Sequence, residues 1–283
     1  MTFDPSSDLI DLALREDLAL GDITSEATVP ADRQATAIML AKQDGVISGM
    51  ETARTVFTRI DPSVNFEALV ADGERVRIGT ELARITGNAR SILAAERTAL
   101  NLIQRLSGIA TRTAEFAAAI EGTAASVIDT RKTTPGMRFL EKAAVRHGGG
   151  SNHRFNLGDA VLIKDNHLAA LGGTHPIRAA VTAAKQRAPH TSKVEVEVVD
   201  LAGVQEALDA SADIIMLDNM SLDEMRRAVE VVDGRALLEA SGGITLATIR
   251  DVAETGVDLI SVGALTHSAP SLDISLDFAI DLS

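Results

Sequence analysis

The 283-residue sequence contains no cysteine, no tryptophan and no tyrosine, and seven phenylalanines are all it has of the large aromatics. The missing thiols exclude disulfides, thiolate metal sites and cysteine nucleophiles, and they suit a reducing compartment, with cytoplasm as the default expectation. Positive charge is scarce as well: 27 Lys and Arg face 40 Asp and Glu, a formal net charge of −13. With no basic block interleaved with aromatics, nucleic acid is not an expected partner. No apolar run approaches the ~18 residues of a membrane span, and the opening MTFDPSSDLIDLALREDL lacks a basic segment followed by an apolar one. Neither a span nor a signal peptide is expected. Walker A, a strand-linked G-x-G-x-x-G and a G-x-S-x-G elbow are all missing, which argues against nucleoside triphosphates, dinucleotides and a serine hydrolase. His147-Gly148-Gly149-Gly150 is thereby left without a serine partner. His147, His153, His167 and His175 lack the close pairing or carboxylate spacing of zinc sites.

What remains is an ordinary globular composition, 46% hydrophobic and 24% charged, long enough for a barrel and a smaller second domain. The first hundred residues read as a small α+β domain. They hold an apolar-periodic helix over Leu9–Leu18, strands around 35–41, 65–70 and 81–86, and a structural hairpin over Asp72–Gly79. Ile92, Leu93, Leu100, Ile103, Leu106, Ile109 and Phe116 then recur at helical spacing, with Gly108 expected to break the helix that links the domains. Beyond it runs a rhythm of short apolar strand, loop and amphipathic helix. Strands are expected at 126–129, 160–163, 193–199, 213–217, 236–240 and 259–262, with a seventh hidden before Asp159. Intervening helices such as 222–232 and 246–255 force parallel crossovers. Domain limits of 1–110 and 111–283 follow, with a tail of about 270–283 packing back on the first domain.

Rhythm alone does not choose between a barrel and an open sheet; the strand ends favour the barrel, whose C-terminal rim gathers distant residues into one ring. Asp129-Thr130-Arg131-Lys132, Lys164-Asp165-Asn166-His167, Asp218-Asn219, Ser241-Gly242-Gly243 and Gly263-Ala264 all stand at such ends. In Lys193-Val194-Glu195-Val196-Glu197-Val198 the alternation puts both glutamates on one face. If the valines pack on helices, the carboxylates enter the interior and need cations or a metal. Arg131, His153, Arg154 and Lys164 can clamp a dianion, Arg forks matching planar carboxylates. Arg138, Lys142 and Arg146 are expected on a solvated helix face. The two glycine loops suit a phosphate, with backbone N–H groups and a following helix N-terminus as donors.

These motifs, dense over almost the whole chain, resemble the quinolinate phosphoribosyltransferase family. The resemblance rests on Arg15-Glu16-Asp17-Leu18, Glu96-Arg97-Thr98-Ala99-Leu100-Asn101, Asp129 to Gly136, Gly148 to Arg154, Leu162 to His167, Glu195-Val196-Glu197-Val198, Leu217-Asp218-Asn219, Glu239 to Ile244 and Ser261-Val262-Gly263. It implies a small N-terminal α/β domain and an incomplete, seven-stranded α/β barrel. It also implies a homodimer with shared active sites, assembled further to hexamers in some members. Arg131, His153, Arg154 and Lys164 would line the quinolinate site with Thr130 and Glu195, and Arg97 would reach in from the neighbouring chain. Lys132, Lys164, Glu197 and Asp218 would act on phosphoribosyl pyrophosphate, the two carboxylates holding Mg2+, directly or through water. Ser241, Gly242, Gly243, Gly263 and Ala264 would hold the 5′-phosphate, and no organic cofactor is implied. Molybdenum-locus proteins share the fold, but the Gly148–Arg154 and Lys164–His167 motifs favour the quinolinate enzyme. Two rival readings stay open: a Schiff-base aldolase using Lys164, and a non-catalytic phosphosugar-binding barrel.

Overall fold

A computed structural model describes residues 7–279 of the chain. Residues 1–6, part of the segment read for a signal peptide, and 280–283, the end of the expected tail, lie outside the described residues. Two compact units emerge. Of the described residues, the first comprises 7–114, Thr133–Gly149 and 265–279; the second comprises Glu115–Lys132 and Gly150–Ala264. A tail from about residue 270 is expected to pack on the first domain, and the described chain from Leu265 does so; the departure from a boundary near residue 110 is Thr133–Gly149, which leaves the barrel sequence and folds with the first unit.

In the first unit β1 (Gln34–Ala41) and β5 (Glu81–Asn88) are eight residues long, while β2 (Gly45–Val46), β3 (Asn65–Ala68) and β4 (Arg75–Val76) are short. An antiparallel sheet orders the C-terminal strand Ile274–Phe278 beside β1, then β5, then β3. The Asp72–Gly79 stretch does not fold on itself as a hairpin. Its β4 pairs with β2, while Asp72 Oδ1 accepts from the Gly49 and Met50 amides at the start of helix Met50–Ile60. Phe57 on that helix is fully buried, with Phe66 of β3 at 5.7 Å between ring centroids. Burying such a side chain contributes about 1.5–3 kcal/mol.

The linking helix runs unbroken from Ala89 to Ala119. Ile92, Ala95, Ala99, Ile103, Leu106 and Ala110, three or four residues apart, form its buried stripe. Gly108 does not end it; a Cβ there would drive into the Pro270 carbonyl, so the glycine serves close approach within the first unit. Lys142, expected on a solvated face of helix Arg138–His147, is only 1% exposed.

The second unit is an open α/β barrel. Its parallel strands are β6 (Ser126–Ile128), β7 (Val161–Ile163), β8 (Val194–Val198), β9 (Ile214–Asp218), β10 (Leu237–Ser241) and β11 (Leu259–Ser261), in spatial order β6-β11-β10-β9-β8-β7. The seventh position is a single parallel bridge from Ser151 to Ile128, on the free side of β6. Each crossover carries a helix, such as Leu201–Asp209 and Leu222–Val232. The second shows why it starts where it does: Ser221 accepts from the Glu224 amide and Glu224 accepts from the Ser221 amide.

Candidate active site

Strand β8 sets the geometry. Val194, Val196 and Val198 are buried, and Val198 packs closely on Gly203 of helix Leu201–Asp209, where an added Cβ would come within 3.0 Å of the Val198 side chain. Period-two alternation then turns Glu195 and Glu197 to the opposite, inner face. The parallel register sets Glu197, Met216 and Glu239 in one row across β8, β9 and β10. Glu195 is 3% and Glu239 1% exposed.

His153 is delivered to the two buried glutamates by the loop after Ser151. Asp129, fully buried at the end of β6, accepts from the His153 amide at 2.8 Å and from Asn152 Nδ2 at 2.7 Å. His153 Nε2 lies 3.1 Å from Glu195 Oε2 and 3.6 Å from Glu239 Oε2. These three side chains are grouped tightly enough to hold a metal ion, with ligand atoms within 4.8 Å of one another. The other ring nitrogen argues against it. His153 Nδ1 accepts the Arg154 amide hydrogen at 2.6 Å, so the ring proton sits on Nε2 and no lone pair faces the carboxylates. The cluster is built around protons.

Arg154 donates from Nη1 to the Ala160 carbonyl at 3.0 Å, yet its Nε is buried with no hydrogen-bond partner. The same holds for Arg131 Nε. Burial, and then the neighbouring positive charge of Arg131, hold the Arg154 guanidinium below its ordinary pKa, while Glu195 and Asp159 work the other way. Two like charges with unfilled donors stand together, an arrangement an anion would relieve. Thr130 Oγ1 accepts from the Lys132 amide at 3.0 Å, which shapes the Arg131-Lys132 turn, and Lys132 itself is exposed.

Lys164, at the end of β7, donates to Glu197 Oε2 at 2.9 Å and is 46% exposed on its side chain. Asp218 closes β9 beside Ser241 of β10, and the Asn219 amide donates to the Ser241 carbonyl at 2.9 Å. Asn219 has φ 54 and Gly242 φ 100; a Cβ on Gly242 would collide with the Asn219 carboxamide, whereas Gly243 faces open space. Bare backbone is thus presented where a phosphate is expected. The helices that follow are short: Ile249–Ala253 after β10 and, directly after Gly263, Ala264–His267. Arg97 is exposed on helix Ala89–Ala119, in the first unit. All the other expected site residues are in the second unit.

Sequence reading assigned no role to Asp129 or Glu239. Glu239 carried the same signal as Glu195, an ionisable residue inside an apolar strand, and Asp129 stood at a strand end.

A parallel open barrel that collects guanidinium groups, an ammonium, carboxylates and bare glycine backbone at its strand ends defines an α/β-barrel protein built to receive anions. The chain belongs to the quinolinate phosphoribosyltransferase family: the family's N-terminal domain model matches residues 22–107 and its C-terminal domain model residues 109–277. The nicotinate-nucleotide pyrophosphorylase [carboxylating] of Mycobacterium leprae is 46% identical, over 97% of this chain and 98% of that one. A mitochondrial quinolinate phosphoribosyltransferase [decarboxylating] of Nicotiana tabacum is 43% identical over 99% of this chain and 84% of its own. The solved nicotinate-nucleotide pyrophosphorylase of Francisella tularensis superposes with a TM-score of 0.91 at 40% identity, covering 98% of this chain and 96% of that one.

Proposed function

We propose that this chain is a carboxylating nicotinate-nucleotide pyrophosphorylase. It transfers phosphoribosyl from phosphoribosyl pyrophosphate to quinolinate and releases pyrophosphate and carbon dioxide to give nicotinate mononucleotide for NAD biosynthesis. The observation that carries this reading is the pair of buried, partnerless guanidinium Nε atoms of Arg131 and Arg154. They call for a planar, multiply charged acid, and His153, Thr130 and Glu195 complete the enclosure.

In this reading the bond from the ribose anomeric carbon to pyrophosphate breaks, leaving positive charge on the sugar and negative charge on the leaving group. Glu197 and Asp218 face the former, and Lys132 and Lys164 neutralise the latter. The pyridine nitrogen then bonds to the anomeric carbon. The electron pair left on the ring carbon when the adjacent carboxylate departs as carbon dioxide is stabilised by the pyridinium charge and then takes a proton from solvent, so no protein nucleophile or organic cofactor is called for. Ser241, Gly242, Gly243, Gly263 and Ala264 hold the 5′-phosphate. Glu197 and Asp218 offer hard oxygen donors, with one Glu197 oxygen already engaged by Lys164. That suits Mg2+, which keeps several waters and takes its other ligands from substrate phosphates. When bound, it would screen the charge of the pyrophosphate.

Arg97 is assigned to the neighbouring chain's site in a homodimer, which can assemble further to a hexamer. No helix among the described residues is long and apolar enough to cross a membrane, and we place the protein in the cytoplasm, although some plant relatives are named for mitochondria or chloroplasts. The Schiff-base alternative is disfavoured by the contact at 2.9 Å that engages Lys164 Nζ with Glu197. The test is direct: quinolinate, phosphoribosyl pyrophosphate and Mg2+ with the protein should yield nicotinate mononucleotide and carbon dioxide. Nicotinate in place of quinolinate should yield neither. Absence of product with quinolinate overturns the assignment.

A further inference from the structure

Two buried carboxyl groups at close quarters cannot both be ionised without donors for each; one proton must stay with the pair. Glu195 of β8 and Glu239 of β10 are such a pair: both are buried, and each turns its Oε2 towards His153 Nε2, at 3.1 and 3.6 Å, with the three ligand atoms within 4.8 Å of one another. Each leaves its Oε1 buried and without a partner, so neither has the donors that a second negative charge would need. The charged and titratable groups around them are few. His153 accepts the Arg154 amide hydrogen at Nδ1, which leaves Nε2 to carry the ring hydrogen. Lys164 is committed to Glu197 and partly in solvent.

Which carboxyl keeps the proton follows from what each receives. Glu195 accepts the His153 Nε2 hydrogen at 3.1 Å and lies within the influence of the Arg154 guanidinium. Glu239 is beyond hydrogen-bond reach of His153 at 3.6 Å and has the Ser261 hydroxyl as its neighbour. The negative charge belongs on Glu195.

Resting on the quinolinate reading for the role of His153, we infer that Glu239 is a positioning residue for the pyridine site. Its carboxyl donates a hydrogen bond to Glu195, and the pair locks His153 as the Nε2–H tautomer next to Arg154. Burial, followed by the charge of Glu195, agrees by pushing the Glu239 carboxyl well above the usual carboxylate range. The chain Arg154 N–H to His153 Nδ1, His153 Nε2–H to Glu195 and Glu239 O–H to Glu195 runs in one direction. That order favours one arrangement of its protons. A positioning role needs that uniqueness: a histidine free to change tautomer would present the substrate with two different rims.

Two neighbouring glutamates should therefore tolerate the same change differently. Glu239→Gln keeps shape, neutrality and an N–H donor towards Glu195, and should leave kcat/KM for quinolinate within about threefold of wild type. Glu239→Leu removes the donor, and Glu195→Gln removes the charge that His153 faces; each should raise the KM for quinolinate about tenfold or more, with kcat changed less. The second measurement is made without substrate: imidazole 15N shifts in 15N-histidine-labelled protein at neutral pH. Wild type and Glu239→Gln should show His153 unprotonated at Nδ1 and protonated at Nε2, while Glu195→Gln should move those shifts. Should Glu239→Leu not fold, the two glutamine variants still decide the matter. A Glu239→Gln enzyme as damaged as Glu195→Gln, or a His153 signal of the Nδ1–H or doubly protonated form in wild type, overturns the inference. If the tautomer is as expected but wild type does not turn over quinolinate, the functional assignment fails while the proton arrangement stands.

Discussion

Arg154→Ala isolates what the unfilled guanidinium contributes. In the free protein the substitution removes one hydrogen bond, to the Ala160 carbonyl at 3.0 Å, a net loss of about 1 kcal/mol. It also relieves the crowding of Arg154 against Arg131. The two effects oppose each other, so the ligand-free melting temperature should move by only a few degrees. With ligand the effects no longer cancel. A guanidinium–carboxylate contact is worth about 1.5–3 kcal/mol, so the quinolinate Kd should rise by about 10- to 150-fold. At one hundred times the wild-type Kd, quinolinate stabilises wild type by about 2.7 kcal/mol, but a variant weakened one-hundredfold by only about 0.4 kcal/mol. At about 2–4 °C per kcal/mol for a unit of this size, the melting temperature should rise by about 5–10 °C in wild type and by about 1 °C in the variant. Thermal melts with quinolinate and, in parallel, nicotinate provide the assay. Nicotinate lacks the second carboxylate and should lose far less affinity on substitution. Equal weakening of both acids, or an undiminished quinolinate shift in the variant, would refute the assignment of Arg154 to the dicarboxylate.

Four further outcomes are expected. Glu197→Ala should lower kcat by ~10²-fold or more while leaving the quinolinate Kd, read by the same melts, nearly unchanged; unchanged turnover removes the residue from the mechanism. Gly242→Ala should weaken phosphoribosyl pyrophosphate binding, seen as a raised KM, because its φ of 100 and the Asn219 carboxamide leave no room for a methyl group. Phe57→Ala should cost about 3–5 kcal/mol of stability in urea unfolding without altering ligand contacts. Glu239, whose carboxyl is held above the ordinary range by burial and by Glu195, binds a proton in the folded state that the unfolded chain has already released. Between the ordinary and the raised pKa, stability should therefore fall as pH rises, and Glu239→Gln should flatten that slope in denaturation measured across neutral pH.

The strand rhythm and the strand-end chemistry were legible because both are local. Glu195 and Glu197 betray their common face by alternation, and the burial of the intervening valines follows from the same pattern. Helix Leu222–Val232 announces its start through Ser221 and Glu224. The features that escaped are settled by contacts distant in sequence. Ser151 makes one bridge, too short for any periodicity to mark as a strand. Gly108 looks like a helix breaker until the Pro270 backbone is seen to need the space beside it. Residues 133–149 sit between two barrel strands in sequence yet fold with the first unit, where Glu141 accepts from the Thr134 amide and from Arg105. His153, Glu195 and Glu239 are far apart in sequence, so no spacing rule could pair them; their meeting follows from the strand order of the open barrel.

The acid content of this site resolves an apparent conflict between the net charge of −13 and a requirement for acidic substrates. Surface charges act through a screening length of about 8 Å at physiological salt, so the outer field governs encounter more than contact. Contact is governed by the second unit's interior, where Asp129 orients the loop carrying His153 and Arg154, and Glu197 holds the Lys164 ammonium. These carboxylates hold the cations in place without saturating them. Arg131 Nε and Arg154 Nε remain open, and Glu195 and Glu239 each keep an oxygen unpartnered. Buried polar atoms left in that state cost stability. The cost makes physical sense only if a ligand satisfies the guanidinium donors, as the dicarboxylate of the proposed reaction would.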